Sequence, residues 1–315
     1  MDPPSEDLPL VSVVIPTYDR PAKLVTAVRS VAAQTYPNVE LVVVDDASPS
    51  PAREVLEGGS FGGLRWRCVR HDRNQGANAA RNTGIRESSG DIVAFLDDDD
   101  SWLPEYVDAQ VTQFREGEDV GVALVGQRYT YDGRTTTVRI PTVGGDATRG
   151  LLEGEVSGTF STMAVSRWVL ERAGLPDEEL PAWQDLDWQF RLSRHCSFAV
   201  DPRPLVVKGA GEYEQIKNAF EEKRDVSYPR LIEKHRDLAA EYDREREFVE
   251  SLSVTLASSA LTNGHAADAR RFAFRALRLN PLLFRAWTLL LLALIPSWLY
   301  QAVIATRRRV IRLRN

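Results

Sequence analysis

The strongest constraint on the fold is an alternation within the first 125 residues. The runs "LVSVVIP" (10–16), "VELVVVD" (39–45), "LRWRCVR" (64–70), "DIVAFLD" (91–97) and "VGVALV" (120–125) are short and largely apolar. Helix-period patterns lie between them near 20–34, 76–88 and 103–114. Apolar runs too short for helices, separated by helical stretches, read as strands buried on both faces by crossover helices. The alternation predicts an α/β chain with a doubly wound, mostly parallel sheet. Such sheets bind ligands beyond the carboxyl ends of their strands, so the residues that leave each run are the ones to inspect.

The fourth run ends in four consecutive carboxylates, Asp97 to Asp100, followed by Trp102 and Pro104. A solvated loop is the ordinary fate of a charge run. An EF-hand loop starting at Asp97 fails, because Trp102 stands where the tight turn needs Gly and Asp108 where the bidentate Glu belongs. Hard carboxylate oxygens at a strand end instead suit Mg²⁺ or Mn²⁺ bridging the phosphates of a nucleotide.

Other strand ends favour a shared ligand. The first run stops at Pro16 and Thr17, and Pro21 suits the first position of a helix, where its missing N–H costs nothing. The second stops at Asp45 and Asp46, either of which also suits a helix cap or turn. "RNQGANAARNTG" (73–84) then leads into a helix. Gly76 there permits close backbone approach, and the free N–H groups of the helix start face an anion. Arg81 lies in the first turns of that helix and on its own reads as a surface arginine.

"VSVVIPTYDRPAKLVTAVRSVAAQTYPNVELVVVDDAS", "NQGANAARNTGIRESSGDIVAFLDDDDSWLP" and "WQDLDWQFRL" together resemble the family 2 glycosyltransferases of the GT-A fold, over roughly residues 10–210. The resemblance implies that Pro16, Thr17 and Tyr18 sit against the nucleoside, that Asp45 bonds the base, and that Arg81 belongs to the nucleotide pocket. Asp97 and Asp99 match the outer aspartates of an Asp-x-Asp metal motif, with Asp99 the direct contact and Asp98 near the ribose. Asp185 matches the general base, preceded by Gln184 where the family often has Glu. It also implies a nucleotide-diphosphate sugar donor (UDP-sugar favoured), Mn²⁺ or Mg²⁺, and inversion by single displacement. Asp187 and Arg191 read as an i,i+4 ion pair. The expected acceptor is a lipid-linked glycan or surface polysaccharide. Transfer to a polyprenyl phosphate is an alternative, as is a non-catalytic sugar-nucleotide-binding protein.

The remaining chain sets the domain expectation: a catalytic domain at 1–211, a helical appendage at 212–281 and an apolar, Arg-rich tail at 282–315. The middle, 126–210, reads as irregular, with a hairpin at "YTYDGRTTTVRI", a Gly-rich loop at 144–158 and short helices near 166–173 and 184–194. "TNGHAADARRFAFRALRLNP" resembles half of a tetratricopeptide unit, too little for an array. Net charge is −6, yet residues 265–315 carry ten Arg against one acidic residue, so the body is strongly acidic. That asymmetry suggests an anionic membrane surface rather than nucleic acid, for which the body has no basic, aromatic-studded stripe. Two cysteines, Cys68 and Cys196, argue against a disulfide framework, and four scattered histidines give no zinc spacing. The start "MDPPSEDLPL" lacks an apolar h-region, so the catalytic part is expected in the cytosol. Residues 286–306 carry no formal charge but are interrupted by Pro296 and followed by Arg307, Arg308 and Arg309. Arginine beyond a span opposes the positive-inside bias, so an interfacial or re-entrant helix at the cytosolic face is expected. Packing on the appendage or on a second subunit is the soluble alternative.

Overall fold

Four parallel strands form one half of the sheet: β1 (Val11–Thr17), β2 (Val39–Asp45), β3 (Arg65–Arg70) and β4 (Ile92–Phe95), in the spatial order β3-β2-β1-β4. The computed structural model describes residues 8–117, 119–131, 134–209 and 220–295. Three helices connect these strands, α1 (Pro21–Ala32), α2 (Ala52–Glu57) and α3 (Ala77–Glu87). Pro21 does open α1, and the face carrying Leu24, Ala27, Val28 and Val31 is buried. All seven residues of β1 are buried, as expected of a strand covered on both sides.

This order contains a reversal. From β1 the chain moves outward through β2 and β3, then returns to lay β4 on the opposite side of β1. The carboxyl ends of β1 and β4 therefore border the crevice where such sheets bind ligands. Helix α3 packs close to this point, because Gly84 lets it approach β1. A Cβ at Gly84 would stand 2.2 Å from Val14 Cγ1.

Beyond β4 the sheet is mixed. It continues through β5 (Asp100–Trp102), α4 (Tyr106–Phe114), β6 (Val120–Tyr131), β7 (Arg134–Arg139), α5 (Ala147–Glu153), β8 (Met163–Ser166), α6 (Arg167–Ala173), α7 (Gln184–Leu192) and β9 (Ser197–Gly209). Strand β8 joins the halves, antiparallel to both β4 and β6; β9 runs parallel to β6 and antiparallel to β5. The expected hairpin is β6–β7.

Residues 126–210 are more regular than their sequence suggests. Pro202 and Pro204 lie inside β9, and the register shifts between Val125 and Gln127 on its partner lie opposite them. Irregular pairing is where a strand tolerates residues that cannot donate to the ladder. The core of this half includes Phe95, Phe160 and Trp188, whose ring centroids lie 5.5–5.8 Å apart.

A second compact unit takes in the described residues 220–295 with residues 152–154 and 180–183. A π-helical turn, Lys223–Ser227, leads into α8 (Tyr228–Glu241), followed by α9 (Glu245–Thr262), α10 (Ala266–Leu279) and α11 (Phe284–Leu292). Leu231, Phe248, Leu256 and Phe272 fill its core, and Tyr228 Oη lies 2.8 Å from Ser253 Oγ. Within α11, Ala286 and Leu289 are buried. No helix among the described residues is long and apolar enough to cross a membrane. The part of the expected interfacial tail from residue 296 onward lies outside them.

Candidate functional site

Every strand of the parallel half delivers a polar side chain to one edge. Thr17, the last residue of β1, donates from Oγ1 to Asp98 Oδ2 at 2.7 Å. This bond ties the end of β1 to the acidic run. Arg20 Nη1 adds bonds to Asp98 Oδ1 at 2.9 Å and Asp99 Oδ2 at 3.1 Å. Pro16 is buried in β1, whereas Tyr18 is 48% exposed and open to a ligand. Asp98 is thus held by β1 and Arg20. Burial still pushes its carboxyl above the ordinary value, against the Thr17 and Arg20 bonds.

Its neighbours gather elsewhere. Asp97, Asp99 and Asp100 each place a carboxylate oxygen within 4.8 Å of the others. Three hard carboxylate oxygens this close could be gathered onto one divalent cation. The donor set, all hard oxygen, fits Mg²⁺ or Mn²⁺. Asp97 and Asp99 were expected from the sequence pattern; Asp100 was not. It follows the turn after β4 and sits on β5, opposite Lys208 of β9.

Three cations restrain the cluster. Lys208 Nζ donates to Asp100 Oδ2, which also accepts from Ser161 Oγ at 2.6 Å. Arg81 Nη2 donates to Asp97 Oδ1 at 2.6 Å and Nη1 to Asn78 Oδ1 at 2.9 Å, while its Cζ lies 3.9 Å above the Phe160 ring. Arg20 holds Asp99, as described above. Burial disfavours the Asp97 charge, but Arg81 and Lys208 outweigh it and set its pKa below the usual carboxylate value. Burial pushes Asp100 up to about 6, against the pull of Lys208. Burial also works against the Lys208 charge, yet Asp100 and Asp97 raise its pKa above that of an ordinary lysine.

Arg81 is therefore no surface residue. It is 6% exposed, and its Nε is buried without a hydrogen-bond partner among the described residues. Neither Lys208 nor Ser161 was legible as a site residue, because only strand register and the β4–β8 pairing bring them beside the acidic run.

The loops after β2 are held by carboxylates whose oxygens are all engaged. Asp45, fully buried, accepts from Ser48 N at 2.8 Å, from Ala52 N at 2.9 Å at the start of α2, and from Arg70. Burial alone would raise its pKa; these bonds reverse that and lower it. The capping geometry is thus present at Asp45. Asp46 accepts from Gln75 N and Gly76 N at 2.9 and 2.8 Å and lies 2.8 Å from His71 Nδ1. It thereby fixes the loop that enters α3. Gly76 at that entry has φ 93°, where a side chain would be strained. Asp19 (φ 53°) and Ala47 (φ 66°) also have positive φ, just beyond β1 and β2.

Asp185 occupies the first turn of α7, after Trp183 at φ 58°. Its Oδ1 accepts from Leu186 N at 2.9 Å. Burial raises its pKa, and the charges of Arg81, Asp97 and Lys208 all act on it. Asp185 therefore belongs to the electrostatic neighbourhood of the acidic cluster. Asp187, by contrast, is fully buried and paired with Arg191 at 3.3 Å, the i,i+4 pair expected. Arg191 also donates to the carbonyls of Ala173 and Leu175, so the pair fastens α7 to the segment after α6.

The model of Glycosyl transferase family 2 matches residues 12–172 of the chain. An uncharacterized glycosyltransferase of Haemophilus influenzae is 28% identical over 196 residues, covering 60% of this chain and 64% of its own. The UDP-Glc:alpha-D-GlcNAc-diphosphoundecaprenol beta-1,3-glucosyltransferase WfgD of Escherichia coli is 38% identical over 104 residues, covering 33% of this chain and 40% of its own. The chain thus spans less than two thirds of the length of these relatives. Among solved structures, the mannosyltransferase PcManGT of Pyrobaculum calidifontis, in complex with GDP-Man and Mn²⁺, superposes with a TM-score of 0.56 at 19% identity. That match covers 92% of this chain and 86% of the other, a likeness of fold.

Proposed function

Because the chain belongs to glycosyl transferase family 2, we propose that it moves a sugar from a nucleotide-diphosphate donor to a hydroxyl of a lipid-linked glycan or surface polysaccharide, with inversion. The observation that carries this reading is the acidic cluster of Asp97, Asp99 and Asp100 with Asp185 in its electrostatic neighbourhood. One end of the site suits a diphosphate and its cation, the other a proton acceptor. A UDP donor and a diphosphoundecaprenol-linked acceptor appear in the name of the Escherichia coli relative, and GDP-Man with Mn²⁺ in the mannosyltransferase complex. These support the donor class, the metal and a lipid-linked acceptor.

Asp97, Asp99 and Asp100 would hold the cation. When bound, it supplies positive charge beside the leaving diphosphate. The protein's own residues do the rest. Lys208 and Arg81 hold Asp100 and Asp97 in place, so the cluster is assembled before the donor arrives. Pro16, Thr17 and Tyr18 border the nucleoside, Asp98 the ribose, and Asp45 shapes the adjoining loop. Asp185 removes the proton from the acceptor hydroxyl as its oxygen attacks the anomeric carbon. The bond from that carbon to the diphosphate oxygen breaks, and the nucleoside diphosphate departs. A screen of UDP- and GDP-sugars with Mn²⁺, reading hydrolysis and transfer, tests the proposal. Turnover is expected with one donor series and is lost in Asp99→Ala or with chelator; full turnover in either condition refutes the metal role.

A further inference from the structure

Helix α11 shows its larger apolar side chains to solvent. Phe284, Trp287 and Leu291 recur at spacings of three and four residues along one side of the helix, and Leu294, in the turn that follows it, continues the spacing. They are 82, 46, 61 and 63% exposed, and Leu282 just before them is 91% exposed. The opposite side buries Ala286, Leu289 and Ala293. A helix that only completed a core would bury its bulky residues and expose polar ones. On α10, Phe274 is likewise 58% exposed.

The exposed charges carried by α10 and α11 themselves are all positive, while on neighbouring elements Asp225 acts on Arg271 and Glu250 bonds Asn280 at the entry to α11. Arg271, Arg275 and Arg278 of α10 and Arg285 of α11 are exposed. The sole acidic residue between 266 and 295, Asp268, is already paired with Arg224 at 3.0 Å. The same charges argue against two self-derived occupants. Residues 296–315 bring five more Arg and no acid, so folding them over this face would set Arg against Arg. A symmetric contact with a second copy would do the same.

We propose that the exposed face of α10 and α11 is a docking surface for an anionic lipid bilayer. The apolar stripe of α11 enters the acyl boundary, and the flanking arginines meet the headgroup phosphates. This deepens the acceptor reading above, since a lipid-linked acceptor lies in that bilayer, but its test reads binding apart from transfer.

Full-length protein is sedimented with vesicles of phosphatidylcholine containing one third phosphatidylglycerol, and with pure phosphatidylcholine. Wild type is expected to partition onto the anionic vesicles and to be partly released by high salt. Phe284→Ser/Leu291→Ser, which removes two exposed side chains, is expected to lose roughly tenfold or more in partitioning while melting like wild type. Arg278→Glu/Arg285→Glu is expected to lose the preference for anionic vesicles. Brominated acyl chains quench wild-type fluorescence more strongly than that of Trp287→Phe. Wild type that stays off anionic vesicles, or double variants that bind as wild type does, overturn the proposal. So does concentration-dependent self-association that Phe284→Ser/Leu291→Ser abolishes without any effect on vesicle binding. Turnover with a short soluble acceptor is expected to be unchanged in these variants. Vesicle binding with no transfer to any acceptor leaves the docking surface standing and removes the enzymatic reading instead.

Discussion

Replacing Gly84 by Ala tests whether the site depends on how closely α3 lies against β1. The new Cβ would meet Val14 Cγ1 at 2.2 Å and Cγ2 at 3.1 Å. Carbon atoms rest about 3.5–4.0 Å apart, so one element has to yield by more than about 1 Å. Val14 is fully buried in a central strand and cannot turn away, so the helix must move. Overpacking of this kind costs about 1–3 kcal/mol. For a unit of some 200 residues that corresponds to a fall in Tm of roughly 2–12 °C. The helix also carries Arg81, whose bond to Asp97 is 2.6 Å long and would not survive such a shift. Donor affinity should therefore fall with stability. Scanning calorimetry gives the first quantity and titration with a nucleoside diphosphate and Mn²⁺ the second. The double variant Val14→Ala/Gly84→Ala removes the two methyl groups in the way and should regain at least half of the lost Tm. A single variant that melts within about 1 °C of wild type and binds donor normally would falsify the packing argument.

Asp185→Asn keeps the side chain's shape and removes its proton acceptor, so turnover should fall by about 10²-fold or more with donor affinity intact. Loss of affinity at unchanged turnover would instead assign Asp185 to the donor pocket. Because burial raises the Asp185 pKa, turnover should climb with pH along a limb above the ordinary carboxylate range, and Asp185→Asn should lack that limb. The same shift has the opposite sign for stability. Folded Asp185 binds its proton more tightly than unfolded, so its contribution declines as pH rises from the unfolded pKa through the folded one. Lys208→Met should weaken Mn²⁺-dependent donor binding by releasing Asp100, and Lys208→Arg should restore part of it; equal losses in both would mean that simple packing is responsible. Asp45→Ala removes the acceptor for Ser48 N, Ala52 N and Arg70 and should lower stability by about 1–3 kcal/mol, weakening nucleoside diphosphate and nucleotide sugar alike. Unchanged calorimetry for both ligands would confine Asp45 to capping.

The parallel half was legible because β1, β2 and β4 are nearly continuous apolar runs, with the arginine-rich β3 set between helical stretches, and the acidic run announced its own strand end. What depended on pairing was not. Strand β9 carries two prolines and reads as a loop until irregular pairing with β6 accommodates it. Lys208 is a single lysine more than a hundred residues from Asp100, and only the β5–β9 register makes them neighbours. Arg81 illustrates the limit differently. Its place in the first turns of a helix was evident, but burial against Phe160 depends on a segment that arrives from beyond β7. In α11 an uncharged run suggested a membrane from composition alone. The fold adds which of its side chains face outward, a matter of helical phase against α9 and α10.

The pairing of Asp100 with Lys208 also bears on the order in which the molecule comes into being. As the chain leaves the ribosome, the four aspartates emerge more than a hundred residues ahead of the lysine that neutralises Asp100. During that interval the acidic turn has Arg20, just before α1, and Arg81 of α3 nearby but lacks the β5–β9 rung. Contacts of such long sequence separation form late, because loop closure must precede them. The acidic cluster is therefore finished by the last strand of its own unit, and an incomplete chain holds the carboxylates without the lysine that fixes their geometry.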